Sequence, residues 1–395
     1  MNNEELNKEF IENASSSATS EIKTDYDAKM FEFRKGTKEE QEEIVGDSLN
    51  FFQDAFRRLR KNKVAMVSLY ILIFILFMAI FAPNFNEHRY DWNVQDLPKE
   101  VASKLPPRIP GLEKIGIMNG TTDRNISVKT LDAGDYPEGS YDVKGDPYEY
   151  RGMQVIDVKE HSYIKNEIED YYYWFGTDDM SRDLWTRVWL GARISLYIGL
   201  LAAFIDITIG LCYGLVAGYF GGKVDMIMMR ITEIVSQIPN LVILVLFMLL
   251  LGSGIPTMSL AIALTGWTGV ARVVRAQVLR LRQQEFILAS RTLGANSFRI
   301  ISKHLFPNII GQIIIMATFS IPSAIFYEAF LSLIGLGLPA PMASIGTLIN
   351  DGRAFINTYP HMILIPSILI SILMISINMF ANGLRDALDP KMKSN

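Results

Sequence analysis

QQEFILASRTLGANSFRIISKHLFP, Gln283 to Pro307, is the stretch on which the reading of this 395-residue chain turns. It predicts a short helix, a glycine turn and a second helix. Phe286, Ile287, Ala289, Ser290 and Leu293 recur at spacings of three and four. Gly294 suits the left-handed residue that ends a helix, and Asn296 or Ser297 can cap the next one. Pro307 marks a boundary. The unit carries a small apolar face among cations and lies between two long apolar runs. Such a face either covers the chain's own helices or docks on a partner.

Those runs set the class. Hydrophobic residues make up 49% of the chain and gather in long uncharged segments instead of spreading as in a soluble domain. The net charge of −4 averages acidic polar segments against basic patches beside the runs, and no basic nucleic-acid surface stands out. One cysteine, Cys212, excludes an intramolecular disulfide and a Cys-rich metal site. Four scattered histidines, no hydrolase motif and no clustered metal ligands argue against an enzyme. The opening MNNEELNKEF lacks the basic and apolar regions of a cleaved signal peptide, so the first span is expected to direct insertion.

Residues 1–50 read as an acidic, solvated cytoplasmic tail, and 51–63 (FFQDAFRRLRKNK) as an interfacial basic helix. A first span follows at 64–86, about 23 uncharged residues and long enough for a ~30 Å hydrocarbon core. Its basic N-terminal flank places that end in the cytoplasm. The polar stretch 87–185, punctuated by proline and glycine and containing the β-like run MQVIDV, reads as a small extracytoplasmic subdomain. Residues 186–390 hold five further spans: 194–222, 226–251, 257–275, 308–334 and 361–384, with 391–395 a cytoplasmic tail. Between Glu233 and Arg272 about 38 residues carry no charge. As one straight helix they would reach about 57 Å, so the chain must fold back, at Gly252-Ser253-Gly254-Ile255-Pro256. The fold class is therefore an all-α polytopic membrane protein: six transmembrane helices with both termini cytoplasmic, a helix-turn-helix loop at 283–307, and the small subdomain between helices 1 and 2.

Within the spans, Gly199, Gly210, Gly214, Gly218, Gly266 and Gly269 favour close helix packing. Asp206 and Glu328 are ionisable groups at membrane depth, which must face protein or a water-filled path. Each can serve structural hydrogen bonding or contact a transported molecule. Pro239 and Pro322 are candidate helix bends.

The chain resembles the transmembrane permease subunits of ATP-binding-cassette importers, specifically the C-type subunit of oligopeptide and dipeptide permeases. FGTDDMSRDLWTRVWLGARISL, GYFGGKVDMIMMR, TGWTGVARVVR, EAFLSLIGLG and the closing ALDP carry the likeness in order, over about Trp174 to Pro390. Gln283 to Pro307 matches the family's EAA loop at Ala289, Gly294 and Pro307. It departs at Leu288, where the motif has glutamate, at Ser290, and at His304 and Phe306 in the ending. Glu285-Phe286 is similar to the acid and aromatic of the peptide-permease branch.

The resemblance implies that Glu285, Phe286, Ala289, Ser290, Leu293, Gly294, Ala295 and Pro307 couple the spans to ATPase subunits. The chain itself has no G-x-x-x-x-G-K-[ST] phosphate cradle, so this chain is expected to bind no cofactor, with ATP and Mg held by the partner ATPases. A paralogous permease subunit, two ATPase subunits, an extracytoplasmic peptide-binding protein and a peptide substrate complete the implied assembly, in a bacterial cell membrane. Two rivals come from other classes: an ion-coupled secondary transporter using Asp206 or Glu328, and a membrane-anchored receptor using the outer subdomain.

Overall fold

The computed structural model describes residues 51–84, 97–134 and 136–388. The 1–50 tail, the Asn86 end of the first span, Asp389 and Pro390 of the ALDP passage, and the 391–395 tail lie outside the described residues. The architecture that follows belongs to the unit Gln53–Asn395.

A basic helix α1 (Phe51–Lys61) leads into α2 (Lys63–Phe81), capped by the Asn62 side chain on the Ala65 N–H at 3.1 Å. α2 is apolar all round, burying Ala65, Ser68, Ile75 and Ala79 while Val67, Tyr70, Phe74 and Phe77 face outward, as a lipid-facing helix must. The bundle's spine is α3 (Leu184–Phe220), whose 37 residues reach about 55 Å. It begins ahead of the apolar run because Asp183 caps the Thr186 N–H, and Trp185 and Trp189 in its first turns pack edge-on against one another and, through Trp185, against Trp174 outside the helix.

α4 (Gly222–Gln237) and α5 (Asn240–Leu251) follow, then α6 (Ile255–Leu281). Sequence reading treats 226–251 as one span; the chain instead turns by 80° between α4 and α5. Pro239 is the cause: Ile238 before it is driven to ψ 125°, and the proline cannot donate into the helix. Five helices of the described residues are long and apolar enough to cross a membrane, and the bent pair makes a sixth if counted as one span.

α3 and α6 form the tightest pair. Gly210, Gly214 and Gly218 stand at every fourth position of α3 and meet Val270, Val274 and Val278 at every fourth position of α6. A Cβ at those glycines would lie 2.5, 2.7 and 2.8 Å from the respective valine Cβ atoms, so the two backbones approach as only glycine permits.

After the loop, α7 (Glu285–Thr292) and α8 (Ser297–Ile300), the chain runs through a wide π turn, Ile301–Leu305, into α9 (Phe306–Leu331) without a break. Pro307 therefore does not end a helix. Phe306 N–H bonds back five residues to Ile301, and the widened turn takes up the residue that cannot donate. Pro322 likewise sits inside continuous α9, and a second π turn, Ser332–Leu336, ends that helix at Gly335 with φ +85°. The glycine- and proline-rich segment beyond contains α10 (Ile345–Arg353), opened by a capping box between Ser344 and Thr347, and α11 (His361–Leu388) closes the bundle against α2.

At the α3 N-terminal end stands a small antiparallel sheet. Its centre is β4 (Met153–His161), flanked on one edge by β1 (Thr121–Ser127) and on the other by β2 (Tyr141–Val143) and β3 (Tyr148–Tyr150). Ile126, Ile156 and Val158 form its small core. β4 includes MQVIDV, whose alternation puts Val155, Ile156 and Val158 inside. Polar contacts tie the sheet to the bundle: Arg124 donates to the Tyr359 hydroxyl and lies over its ring at 5.2 Å.

Candidate functional site

The segment 283–307 sits at the opposite end of α3 from the sheet. Ile287, Ile300 and Leu305 are fully buried, against Leu215, Tyr219, Val274 and Val278 near the ends of α3 and α6. These three apolar side chains clamp the loop to the bundle. Arg282 Nη1 donates to the Tyr219 carbonyl at 2.9 Å, and Arg291 lies over the Tyr219 ring at 5.6 Å. Ile287 thus leaves the apolar face on which its spacing groups it, because the eight-residue helix has apolar groups at 286, 287 and 288, with Leu293 at its C-cap, and the spans take only the side that carries Ile287.

The other face is open. Leu293 is 88% exposed and Phe298 is 78% exposed; Phe286 and Leu288 are exposed beside them. Glu285 and Ala289 are also exposed, Ser290 and Ala295 are half-buried, and Pro307 is exposed on the flank. The Ser290 hydroxyl donates to the Phe286 carbonyl at 2.8 Å, which hides its polarity within the helix. Gly294 holds φ +80°, Ala295 N–H bonds to the Ser290 carbonyl at 3.1 Å, and Asn296 accepts from Arg299 N–H at 2.8 Å. The turn is set by backbone chemistry that few other residues reproduce. A Cβ at Gly294 would touch nothing among the described residues. Phe298 and Leu288 were not singled out from sequence as contact residues. Their signal was available in Asn296: a cap there puts Phe298 on the solvent side of α8 when Ile300 turns inward.

Basic side chains gather at this end. Arg57, Arg58, Arg60, Lys61 and Lys63 flank the α1–α2 junction, Arg272, Arg275, Arg280 and Arg282 the end of α6, and Arg385 the end of α11. Arg275 forms a forked pair with Asp225, one arm at 2.5 Å, pinning α4 to α6.

The two intramembrane acids have different surroundings. Glu328 is fully buried, accepting from Ser195 Oγ and Ser332 Oγ at 2.9 Å each, while Ser195 Oγ accepts the Ile345 N–H at 3.2 Å. It joins α3, α9 and, through Ser195, α10. Asp206 instead lines a cavity of about 510 Å³ among α3, α5, α6 and α9, together with Asn240, Thr265, Gln312, Ser323 and Tyr327. Pro239 and Pro322 lie apart: Pro239 at the α4–α5 bend, Pro322 at a smaller cavity of about 320 Å³ shared with Phe319, Ser323 and Tyr327. Cys212, whose sequence surroundings suggest a small buried residue, is exposed on the bundle surface.

At the sheet end a third cluster forms. Asp178 accepts from Arg182 Nε at 2.7 Å and from Arg187, and Arg187 Nη2 lies 3.6 Å from Asp351 of α10. In the sheet, Glu160 accepts from Tyr136 at 2.9 Å and Lys165 at 3.1 Å and faces Arg124. Burial raises its pKa, but Arg124 and Lys165 outweigh burial and hold it below the ordinary carboxylate value.

The comparisons agree with this architecture. A family described as "binding-protein-dependent transport system inner membrane component" matches residues 210–394, and one described as "N-terminal TM domain of oligopeptide transport permease C" matches 50–107. The oligopeptide transport system permease protein OppC of Bacillus subtilis (strain 168) is 39% identical over 92% of this chain and 97% of its own length. The dipeptide transport system permease protein DppC of Lactococcus lactis subsp. cremoris (strain MG1363) is 41% identical over 89% of this chain and 93% of its own. The Escherichia coli (strain K12) oligopeptide permease OppC is 32% identical over 89% and 94%. On sequence and helical architecture together, the chain belongs to the OppC/DppC-type permeases, the multi-pass inner-membrane components of binding-protein-dependent ABC transport systems.

Proposed function

We propose that this chain forms one half of a peptide translocation pathway, paired with a paralogous permease subunit. In this reading the 283–307 segment is the joint through which two ATPase subunits drive it. The carrying observation is the division of that segment into a clamped face and an open one. Ile287, Ile300 and Leu305 transmit motion into α3, α6 and α9, and Leu293, Phe298, Phe286 and Leu288 offer apolar surface with no occupant among the described residues. Exposed apolar side chains on a capped loop fit a protein groove. The concentration of arginine and lysine at the same end supports a cytoplasmic location for the loop and both termini. ATP and Mg belong to the ATPases in this scheme. The sheet, at the far end of α3, is then extracytoplasmic and suits contact with a peptide-delivering binding protein.

Gly294→Val tests the joint. A branched side chain at φ +80° is strained and projects toward the docking partner. Peptide-stimulated ATP hydrolysis by the reconstituted complex should fall at least tenfold, with the permease still inserted; unchanged stimulation refutes the coupling role.

A further inference from the structure

The cavity beside Asp206 holds a buried carboxylate that the packing leaves half satisfied. Asp206 is 6% exposed, and its Oδ1 has no hydrogen-bond partner among the described residues. Its other oxygen lies hard against α6: a Cβ at Gly266 would come within 2.0 Å of Oδ2. Gly266 therefore makes room for the carboxylate at the edge of the cavity. Among the described residues no cation forms an ion pair with it, including Arg385, which lines the same cavity. The remaining polar lining is neutral: Asn240, Thr265, Gln312, Ser320, Ser323 and Tyr327. A carboxyl group buried without a counter-charge is costly to ionise by itself, and a cation arriving from outside the chain lowers that cost. The cavity is of a size to admit a short peptide, and it adjoins a second one that continues along α9 past Phe319 to Met374 and Asn378.

We infer that Asp206 is a binding site for the ammonium group of a peptide in transit, receiving either its N-terminal α-ammonium or a lysine side chain. The inference rests on the peptide-permease reading. It adds a residue that would favour cationic ends over blocked ones inside the membrane, independently of the selection made by an external binding protein.

The test uses the full permease–ATPase complex in nanodiscs without the external binding protein, so that only the membrane site is read. Equilibrium binding of three tripeptides is measured: Ala-Ala-Ala, N-acetyl-Ala-Ala-Ala and N-acetyl-Ala-Lys-Ala. The wild-type complex should bind the free tripeptide about tenfold more tightly than the acetylated one. Asp206→Asn should abolish that preference and Asp206→Glu retain it. Tight binding of the lysine peptide assigns the site to any ammonium, and weak binding restricts it to the α-ammonium. Absence of discrimination by the wild type, or its persistence in Asp206→Asn, overturns the proposal. So does failure of the Asp206→Asn complex to assemble, since that assigns Asp206 to an ion pair across subunits. ATP-dependent peptide uptake by wild-type proteoliposomes supplied with the binding protein separates the two levels: no uptake sinks the peptide-permease reading, whereas uptake without discrimination sinks only the role of Asp206.

Discussion

Truncating Leu293 and Phe298 together to alanine should weaken ATPase docking while leaving the permease as stable as before. Both side chains are almost free of their own chain, at 88% and 78% exposure, so their removal opens no cavity and should change folding stability by no more than about 0.5 kcal/mol. Full burial of a leucine or phenylalanine side chain on a partner is worth about 1.5–3 kcal/mol each. Allowing for incomplete burial, the double variant should lose at least ~2 kcal/mol of docking energy, roughly a thirtyfold weaker association. Ile287→Ala supplies the contrast. Ile287 is fully enclosed by the α3–α6 cluster, and its truncation should cost ~2–5 kcal/mol of permease stability. The assay titrates purified ATPase subunit onto nanodisc-held permease by biolayer interferometry and follows thermal unfolding of the same samples. An unchanged affinity for the double variant, or a fall in its melting temperature equal to that of Ile287→Ala, refutes the separation of an open docking face from a clamped one.

Gly214→Ala should destabilise the bundle by about 1–3 kcal/mol, seen as a lower unfolding temperature in detergent, because its Cβ would fall 2.7 Å from that of Val274. Asp178→Asn removes the carboxylate shared by Arg182 and Arg187. It should cost about 3–5 kcal/mol, read as faster hydrogen exchange at the start of α3; unaltered exchange would show that Asp351 alone suffices. Glu160 governs an acid limit for the sheet. Its folded pKa lies below the unfolded value near 4.5, so its contribution is complete above that value and is lost as pH falls through the lower, folded value. Exchange protection of β4 should therefore decline below about pH 4.5, and Glu160→Gln should flatten that dependence while lowering protection at neutral pH.

Much of the architecture was legible in the chain. Uncharged runs longer than a bilayer core, bounded by arginine and lysine, determine helices and their flanks, because unpaired backbone and charge are both excluded from hydrocarbon. Gly252 to Pro256 determines a fold-back, and Gly294 with Asn296 determines the loop's turn, since both depend on local backbone chemistry. Prolines were less legible. Pro239 breaks its helix by 80°, whereas Pro307 and Pro322 do not break theirs; at Pro307 the preceding turn widens to absorb the missing donor.

What only the tertiary structure decided is which face of each element is occupied. Periodicity groups Ile287 with Phe286 and Leu293, yet α3 and α6 bury the first and leave the others open. Composition treats Asp206 and Glu328 alike as intramembrane acids. Three-dimensional neighbours separate them: Ser195 and Ser332 satisfy Glu328, while Gly266 admits the Asp206 carboxylate to a cavity with one oxygen unpaired. The physical reason is that a helix period specifies spacing along one chain, whereas burial and hydrogen-bond satisfaction depend on groups more than a hundred residues away, as Ser195 is from Glu328.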